Sequence, residues 1–161
     1  MRISATVQDS IVDGPGLRFV VFTQGCTHAC EGCHNPDTHD LLGGTEILVD
    51  DVVKDMLSNP LTDGLTLSGG EPFLQPGDCA MLAAKAHENG LNVWCYSGFT
   101  FEELMEMPET RNLLTQVDVL VDGSFVLEEK SLLLKWRGSS NQRVLDVPKS
   151  LEQGHAVAFE C

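Results

Sequence analysis

The sequence predicts an α/β fold, in which helices cover a mostly parallel sheet. Short apolar runs of strand length alternate along the chain with helical patterns, and this alternation is typical of parallel strands joined by helical crossovers. The chain has 161 residues, 42% of them hydrophobic, which is enough for a globular core. A complete eight-stranded βα barrel typically needs about 200 residues or more, so we expect only a partial, open barrel.

Four apolar runs have the composition of buried strands. Each run is compact and ends near a glycine or a polar turn. They cover residues 17–23, 65–67, 93–96 and 117–121. Because right-handed crossovers bring the carboxyl ends of parallel strands to one edge of the sheet, we expect the functional residues to lie at that edge.

Helical patterns fall between these strands. In residues 49–58 apolar side chains recur with helical spacing, and residues 80–89 are followed by Gly90, which suits a left-handed C-cap. Thr100 and Glu103 have the spacing of a capping box. A third helix is therefore predicted to begin after Thr100.

The chain is strongly acidic. It carries 10 basic and 24 acidic residues, a formal charge of -14, and this charge opposes binding to nucleic acid or to anionic membranes. Half of the basic residues nevertheless fall within residues 130–149, and such a basic segment favours an anionic ligand. They are Lys130, Lys135, Arg137, Arg143 and Lys149.

Three closely spaced cysteines are the most informative feature of the sequence. Cys26, Cys30 and Cys33 form a C-x3-C-x2-C run directly after the first predicted strand. Thiolates select iron-sulfur clusters, zinc or copper over hard cations. A complete cluster or a structural zinc site usually has four protein ligands. One coordination position is therefore filled from elsewhere or left open for chemistry.

The cysteine spacing alone leaves the metal undecided. His28, His34 and His39 lie near the cysteines in the sequence, and one of them could complete a zinc site of three cysteines and one histidine. An iron-sulfur cluster is equally consistent with the spacing.

The other three cysteines stand apart and are expected to be small buried or terminal residues. They are Cys79, Cys95 and Cys161.

No secretory signal pattern opens the sequence, and no apolar run approaches the ~20 residues needed to cross a bilayer. We therefore expect a reduced cytoplasmic protein that is not in a membrane.

A second signal follows the predicted strand at residues 65–67. Gly69 and Gly70 would allow the backbone to approach a ligand closely, and Glu71 adds a carboxylate that can hold an ammonium group. An ordinary turn between a strand and a helix also explains this Gly-Gly-Glu-Pro segment. The presence of the cysteine run favours the functional interpretation.

Together, the cysteine run and the Gly-Gly-Glu-Pro strand end resemble the radical S-adenosylmethionine (SAM) superfamily. Five stretches narrow this resemblance to the family of proteins that activate anaerobic ribonucleoside-triphosphate reductase. They are DGPGLR at 13–18, QGC at 24–26, CHN at 33–35, DVLVDG at 118–123 and WRGSSNQ at 136–142. The resemblance extends over about residues 11–145 and implies a single radical SAM domain, with a partial barrel of that type, over residues 1–161.

The resemblance implies a 4Fe-4S cluster bound by Cys26, Cys30 and Cys33, with SAM chelating the fourth iron through its amino and carboxylate groups. An electron from a low-potential donor such as flavodoxin would cleave SAM to methionine and a 5'-deoxyadenosyl radical. That radical would take a hydrogen atom from a glycine of the reductase, which is the implied partner. The cofactors would supply the reactivity, and the protein would orient them.

The resemblance also implies which residues bind SAM. The methionine ammonium group is assigned to the strand end and the adenosine to the end of the cysteine loop. The residues are Gly69, Gly70 and Glu71 for the ammonium, and Gly32, Cys33 and His34 for the adenosine. Many superfamily members carry an aromatic residue where this chain has Gly32, so adenine stacking is expected to shift to His34 or to be lost.

The partner of the SAM carboxylate is less clearly indicated. Asp122, at the end of a predicted strand, is also assigned to the SAM site by the resemblance. Related activators of pyruvate formate-lyase often carry a lysine two positions after the corresponding aspartate, but this chain has Ser124 there. Arg137 is the best candidate, because its planar guanidinium suits a carboxylate. Arg137 could instead dock the reductase or be an ordinary surface charge.

Other functions remain open, both within the enzyme class and outside it. Within the enzyme class, the chain could activate a pyruvate formate-lyase-type glycyl radical enzyme or be another small radical SAM enzyme. Outside it, the chain could be a zinc or iron-sulfur binding module without catalysis. Glu71 favours an enzyme, because an electron carrier needs no Gly-Gly-Glu loop beside its cluster.

Overall fold

A seven-stranded sheet forms the centre of the computed structural model, which describes residues 1–160 and leaves Cys161 outside the described residues. The strands are β1 (Arg2–Ser10), β2 (Arg18–Thr23), β3 (Thr45–Glu46), β4 (Gly64–Gly69), β5 (Asn92–Tyr96), β6 (Val119–Asp122) and β7 (Arg143–Asp146). Their order across the sheet is β3-β1-β2-β4-β5-β6-β7. The four predicted strands correspond to β2, β4, β5 and β6.

The sheet is mixed, so the prediction of a mostly parallel sheet is wrong. The pairings β2–β4, β4–β5 and β5–β6 are parallel, whereas β1–β2, β1–β3 and β6–β7 are antiparallel. The turn between β1 and β2 is too short for a helical crossover, and a short turn joins antiparallel neighbours. The sheet is open, with β3 and β7 at its edges. A partial barrel of the radical SAM type stays a prediction.

Five α-helices accompany the sheet. They are α1 (Val49–Leu57), α2 (Pro76–Glu88), α3 (Phe101–Met105), α4 (Arg111–Leu114) and α5 (Val147–Gln153). The predicted start of α3 is confirmed, because Thr100 and Glu103 form both hydrogen bonds of a capping box. No helix within residues 1–160 combines the length and apolar composition required to cross a membrane.

The two faces of the central strands have different surroundings. Val21, Leu67 and Cys95 lie side by side in the register of β2, β4 and β5 and belong to the main core, which also contains buried residues of every helix. The next residue along each strand points to the opposite face, because side chains alternate along a strand. These residues are Phe22, Ser68 and Tyr96, and all three border a cavity.

Candidate functional site

The cavity lies at the carboxyl ends of the four parallel strands. It has a volume of about 510 Å³ and is open to solvent. The loops that follow β2, β4, β5 and β6 contribute Cys26, Gly70, Ser97 and Gly123, respectively, to its wall. The cavity therefore occupies the edge at which the sequence predicts functional residues.

The three clustered cysteines border this cavity. Cys26, Cys30 and Cys33 are free thiols of intermediate exposure. Within residues 1–160, no three His, Cys, Asp or Glu side chains close on a common point in the way a bound metal ion requires. The loop thus brings three cysteine side chains to one cavity, but their sulfur atoms do not converge on the position of a single metal ion. This donor set fits an iron-sulfur cluster, because soft thiolates are the ligands that such clusters take.

Backbone amides lie beside two of the sulfur atoms. The N–H of Asn35 donates to Cys33 Sγ at 3.4 Å. Burial raises the pKa of the Cys26 thiol above its usual value, and the backbone N–H of His28 partly opposes this rise. Amides that donate to sulfur favour the thiolate, which is the form that binds iron.

The carboxylate of Glu71 is fully buried and fully paired. Oε1 lies 2.6 Å from His28 Nε2 and accepts from the N–H of Gly98 at 2.8 Å. Oε2 accepts from the N–H of Phe73 at 3.1 Å, and Ser97 Oγ lies within 3.0 Å of both oxygen atoms. A carboxylate has about four acceptor positions, so these donors leave little capacity for another.

The imidazole of His28 is held in a shaped niche. Its ring packs edge-on against Phe99, with ring centroids 4.5 Å apart. A Cβ atom at Gly98 would lie 2.5 Å from His28 Cδ2, so a side chain there would displace the ring. The hydrogen bond with Glu71 raises the pKa of His28, and burial partly opposes this rise.

Gly69 and Gly70 are required by their contacts with the end of β2 and with the loop that follows it. Gly69 has a φ of 93°, and a Cβ atom there would lie 2.6 Å from the backbone nitrogen of Thr23. A Cβ atom at Gly70 would collide with the carbonyl oxygen of Gly25. The two glycines also border the cavity. Close packing against the end of β2 and its following loop therefore explains both glycines, whether or not a ligand approaches them.

Aromatic and basic side chains border another part of the cavity. The ring of His34 lies 4.9 Å from that of Phe125, measured between centroids. Trp136 has an uncommon positive φ of 68°. The neighbouring Arg137 donates from Nη1 to the carbonyl oxygen of Gln142 at 2.6 Å. All five of these residues border the cavity, so Arg137 brings a cationic side chain to its wall.

A buried arginine fixes the turn before β2. Arg18 donates to Thr66 Oγ1 and Asn92 Oδ1, each at 2.7 Å, and to the carbonyl oxygen of Pro15 at 3.0 Å. Its guanidinium lies 5.7 Å from the centre of the Trp94 ring. Burial lowers the pKa of Arg18 to about 10. Because Val12 and Asp13 of this turn border the cavity, Arg18 helps to fix that part of the cavity wall.

Comparison with known proteins identifies the family. A family model described as a 4Fe-4S single cluster domain matches residues 12–145. The anaerobic ribonucleoside-triphosphate reductase-activating protein of Haemophilus influenzae is 37% identical over 143 residues, covering 82% of this chain and 89% of the relative. The protein of the same name from Enterobacteria phage T4 is also 37% identical over 143 residues, covering 83% and 86%. The chain belongs to the family of anaerobic ribonucleoside-triphosphate reductase-activating proteins.

A further member of the family is similar to the same extent. The activating protein of Escherichia coli K12 is 35% identical over 143 residues, which cover 83% of this chain and 91% of that protein. The matched part of this chain contains Cys26, Cys30 and Cys33.

The structure brings together seven of the ten predicted site residues of this family member at the cavity wall. The seven are Cys26, Cys30, Cys33, His34, Gly69, Gly70 and Arg137. Gly32, Glu71 and Asp122 are not among the residues that border the cavity. Gly32 turns the cysteine loop with a φ of 71°, and Asp122 is buried beneath Arg143.

Sequence reasoning missed the contribution of β5 to the site. Ser97 and Gly98 follow β5, border the cavity and donate to Glu71. The available signal was position, since the predicted strand at residues 93–96 ends at the same edge as the cysteine loop. The sequence indicates His28 only as a possible zinc ligand, whereas in the structure its Nε2 atom lies 2.6 Å from Glu71 Oε1.

Proposed function

We propose that the chain is a radical SAM enzyme that activates an anaerobic ribonucleoside-triphosphate reductase by generating a glycyl radical on it. The observation that carries the proposal is the common position of three free cysteines and the Gly69 and Gly70 backbone at one cavity. Family membership supports the choice of partner, because the relatives are named for this reductase.

In this proposal Cys26, Cys30 and Cys33 hold a 4Fe-4S cluster, and the fourth iron is left for SAM. When bound, the two cofactors would supply one-electron cleavage of SAM and a 5'-deoxyadenosyl radical, with the electron coming from a low-potential donor such as flavodoxin. The chain itself supplies the thiolates, the amides that donate to sulfur, and a cavity in which the reacting atoms would lie.

The SAM molecule would lie along the strand ends. The Gly69 and Gly70 backbone borders the space beside the cysteines, the rings of His34 and Phe125 provide flat surfaces for the adenine, and Arg137 provides a cation for the carboxylate. Glu71, Gly32 and Asp122 support this arrangement from outside the cavity wall. All of these residues would belong to a single radical SAM domain.

The proposed cluster requires free thiolates, and with it we propose a cytoplasmic site of action. The five cysteines within residues 1–160 are free, and free thiols persist where the compartment is reducing. A zinc site completed by His28 would have to use Nδ1, because Nε2 of His28 already pairs with Glu71 at 2.6 Å; metal analysis of the purified protein separates this alternative from the cluster.

The test is reconstitution of the activation reaction. Anaerobically prepared protein is mixed with SAM, a strong reductant and the reductase, and the products are followed by chromatography and electron paramagnetic resonance. We expect 5'-deoxyadenosine together with a glycyl radical signal on the reductase, and neither with the Cys30→Ala variant. If SAM is cleaved but only a pyruvate formate-lyase-type enzyme acquires the radical, the chain is an activase with another partner. A colourless protein that holds zinc and leaves SAM intact would support the binding module.

A further inference from the structure

We propose that His28 is a positioning residue for the cluster-binding loop, and that Glu71 serves the site by holding His28 instead of contacting SAM. This inference rests on the proposed function, in which Cys26 and Cys30 bind the cluster. His28 lies between these two cysteines in the sequence, but the cysteine spacing does not reveal its contact with Glu71.

The first step of the argument is the connection that His28 makes. Its Nε2 atom lies 2.6 Å from Glu71 Oε1, and the two residues are 43 positions apart in the chain. The hydrogen bond therefore ties the loop after β2 to the strand end of β4. Cys26 and Cys30 are each two residues from His28, so the position of the imidazole constrains both sulfur ligands.

The second step is that Glu71 has no free acceptor on the cavity side. Its side chain has 0% exposure, and its oxygen atoms receive donors from His28, Phe73, Ser97 and Gly98. An ammonium group could reach the carboxylate only by displacing one of these donors. Removing a donor from a buried carboxylate is costly, so the existing partners are the ones that the fold is built to hold.

The third step is that the His28 niche is specific for the ring. Phe99 contacts the imidazole edge-on, and the absence of a side chain at Gly98 leaves the space that the ring fills. Ala29, the next residue, has a φ of 53°, a conformation that residues other than glycine rarely adopt. Such backbone persists only where the surroundings hold it, and the His28 anchor provides that hold.

These contacts make His28 comparable to the residues that orient metal ligands without touching the metal themselves. Loss of such a partner typically lowers metal affinity or activity by about 10- to 100-fold, because the ligands are no longer oriented. For His28→Ala we therefore expect the loop to relax and the cluster to be released more readily.

The experiment measures cluster retention in the full chain without SAM or reductase. Reconstituted protein is mixed anaerobically with an iron chelator, and the loss of cluster absorbance is timed. We expect His28→Ala to lose its cluster about 10-fold faster than the wild type or more. His28→Gln, whose amide can donate to Glu71 from a position similar to Nε2, should recover much of the difference.

The matched control is His87→Ala. His87 also pairs through Nε2 with a carboxylate, Asp118 at 2.9 Å, but it is not among the residues that border the cavity. This variant should retain its cluster like the wild type. If His28→Ala behaves like His87→Ala, or if His28→Gln gives no recovery, the proposal is wrong.

Glu71→Gln separates the two possible roles of the carboxylate. If Glu71 acts through His28, Glu71→Gln accelerates cluster loss, and combining it with His28→Ala adds little. Weakened SAM binding with unchanged cluster retention would instead mean that Glu71 contacts SAM, and would overturn the inference. Cluster retention is measured without SAM or reductase, so its result does not depend on radical generation. A wild type that fails to generate the radical would contradict the proposed function, and the retention experiment would still test the role of His28.

A second readout needs no cluster. In the iron-free protein, we expect the His28→Ala substitution to increase the alkylation rate of Cys26 and Cys30 by several-fold, because a relaxed loop exposes them. Mass spectrometry of the modified peptides gives both rates. Unchanged rates together with unchanged cluster retention would contradict the proposed role of His28 as an anchor.

Discussion

Asp122 and Arg143 form an ion pair at the cavity end of the sheet. Arg143 Nε donates to Asp122 Oδ1 at 3.0 Å, and the two residues face each other in the antiparallel register of β6 and β7. Asp122 Oδ2 also accepts from the N–H of Phe101, the first residue of α3, at 2.7 Å. The bond to Asp122 raises the pKa of Arg143. The Asp122 carboxylate thus joins β6, β7 and α3. Arg143, one of the five residues of the basic segment, therefore has a structural partner within the fold.

We expect Asp122→Ala to destabilise the protein, with little change in SAM affinity. The carboxylate is 1% exposed, and its removal leaves the Phe101 N–H without its acceptor and Arg143 without its buried partner. An unsatisfied buried group costs about 1–3 kcal/mol, so a decrease of about 2 kcal/mol in the free energy of unfolding is expected. Urea denaturation measures this change, and titration measures SAM binding.

The control for Asp122 is Glu102→Ala, which removes the other carboxylate on Arg143. The Glu102 side chain is 58% exposed, and exposed pairs contribute about 0–1 kcal/mol. A loss of SAM affinity in Asp122→Ala without a loss of stability would mean that the carboxylate contacts the ligand after all.

The central strands could be predicted from the sequence because they carry their own signal. A strand buried on both faces reads as a continuous apolar run, as β2 does. The strands β1 and β7 contain mostly exposed or half-buried residues, and β3 has two residues. Their position depends on hydrogen bonds to a neighbouring strand, which local periodicity does not reveal. The mixed sheet could therefore not be predicted from these segments.

The candidate site also could be predicted only in part from the sequence. The cysteine run and the Gly69 and Gly70 pair are local patterns and could be located from the sequence. The partners of Glu71 come from separate loops, at His28, Ser97 and Gly98. Only the folded chain brings these positions together, so an ammonium-binding role was the natural prediction for a carboxylate seen in isolation.

The cysteine ligands are tested by substitution one at a time. Because Cys26, Cys30 and Cys33 border one cavity, replacing any of them with Ser should abolish a cluster of about four irons and four sulfides per chain. Iron and sulfide analysis with visible absorbance measures the loss. Cys95→Ala serves as the control, since Cys95 is buried in the core. Loss of the cluster in this control alone, or a colourless wild type with bound zinc, would contradict the assignment.

The buried cysteines should resist thiol reagents over a wide pH range. Burial raises the pKa of Cys79 to about 12 and raises that of Cys95 well above its usual value. In iron-free Cys161→Ser protein, the three loop thiols should therefore react at pH 8 and the two buried thiols should not. Raising the pH to 10 should leave Cys79 unreactive in the native state, because the reactive thiolate forms only near its raised pKa.

The same shift has a consequence for stability. The unfolded chain releases the Cys79 proton near its usual pKa of 9.0, whereas the folded chain retains it to about 12. The contribution of this thiol is therefore complete below pH 9 and is lost as the pH rises from 9 to 12. Urea unfolding at several pH values should show this decrease, and Cys79→Ala should show a smaller one. Equal slopes for the two proteins would contradict the assigned pKa.

Under the proposed function, Arg137 is the cation that is best placed to bind the SAM carboxylate. One of its nitrogen atoms, Nη1, is engaged by the carbonyl oxygen of Gln142 at 2.6 Å, and this bond orients the guanidinium at the cavity wall. A hydrogen bond to a charged group contributes roughly 1.5–3 kcal/mol. Arg137→Ala should therefore raise the SAM dissociation constant about 10-fold or more while the cluster is retained.

The control for Arg137 is Lys135→Ala. The Lys135 ammonium lies 5.2 Å from the ring centre of Trp136 and does not border the cavity, so its loss should leave SAM affinity unchanged. Arg137→Lys should recover only part of the affinity, because an ammonium group cannot form two parallel hydrogen bonds to a carboxylate. If Arg137→Ala binds and cleaves SAM normally but fails to activate the reductase, the residue docks the partner. If none of these properties changes, Arg137 is a surface charge, and the carboxylate has another partner.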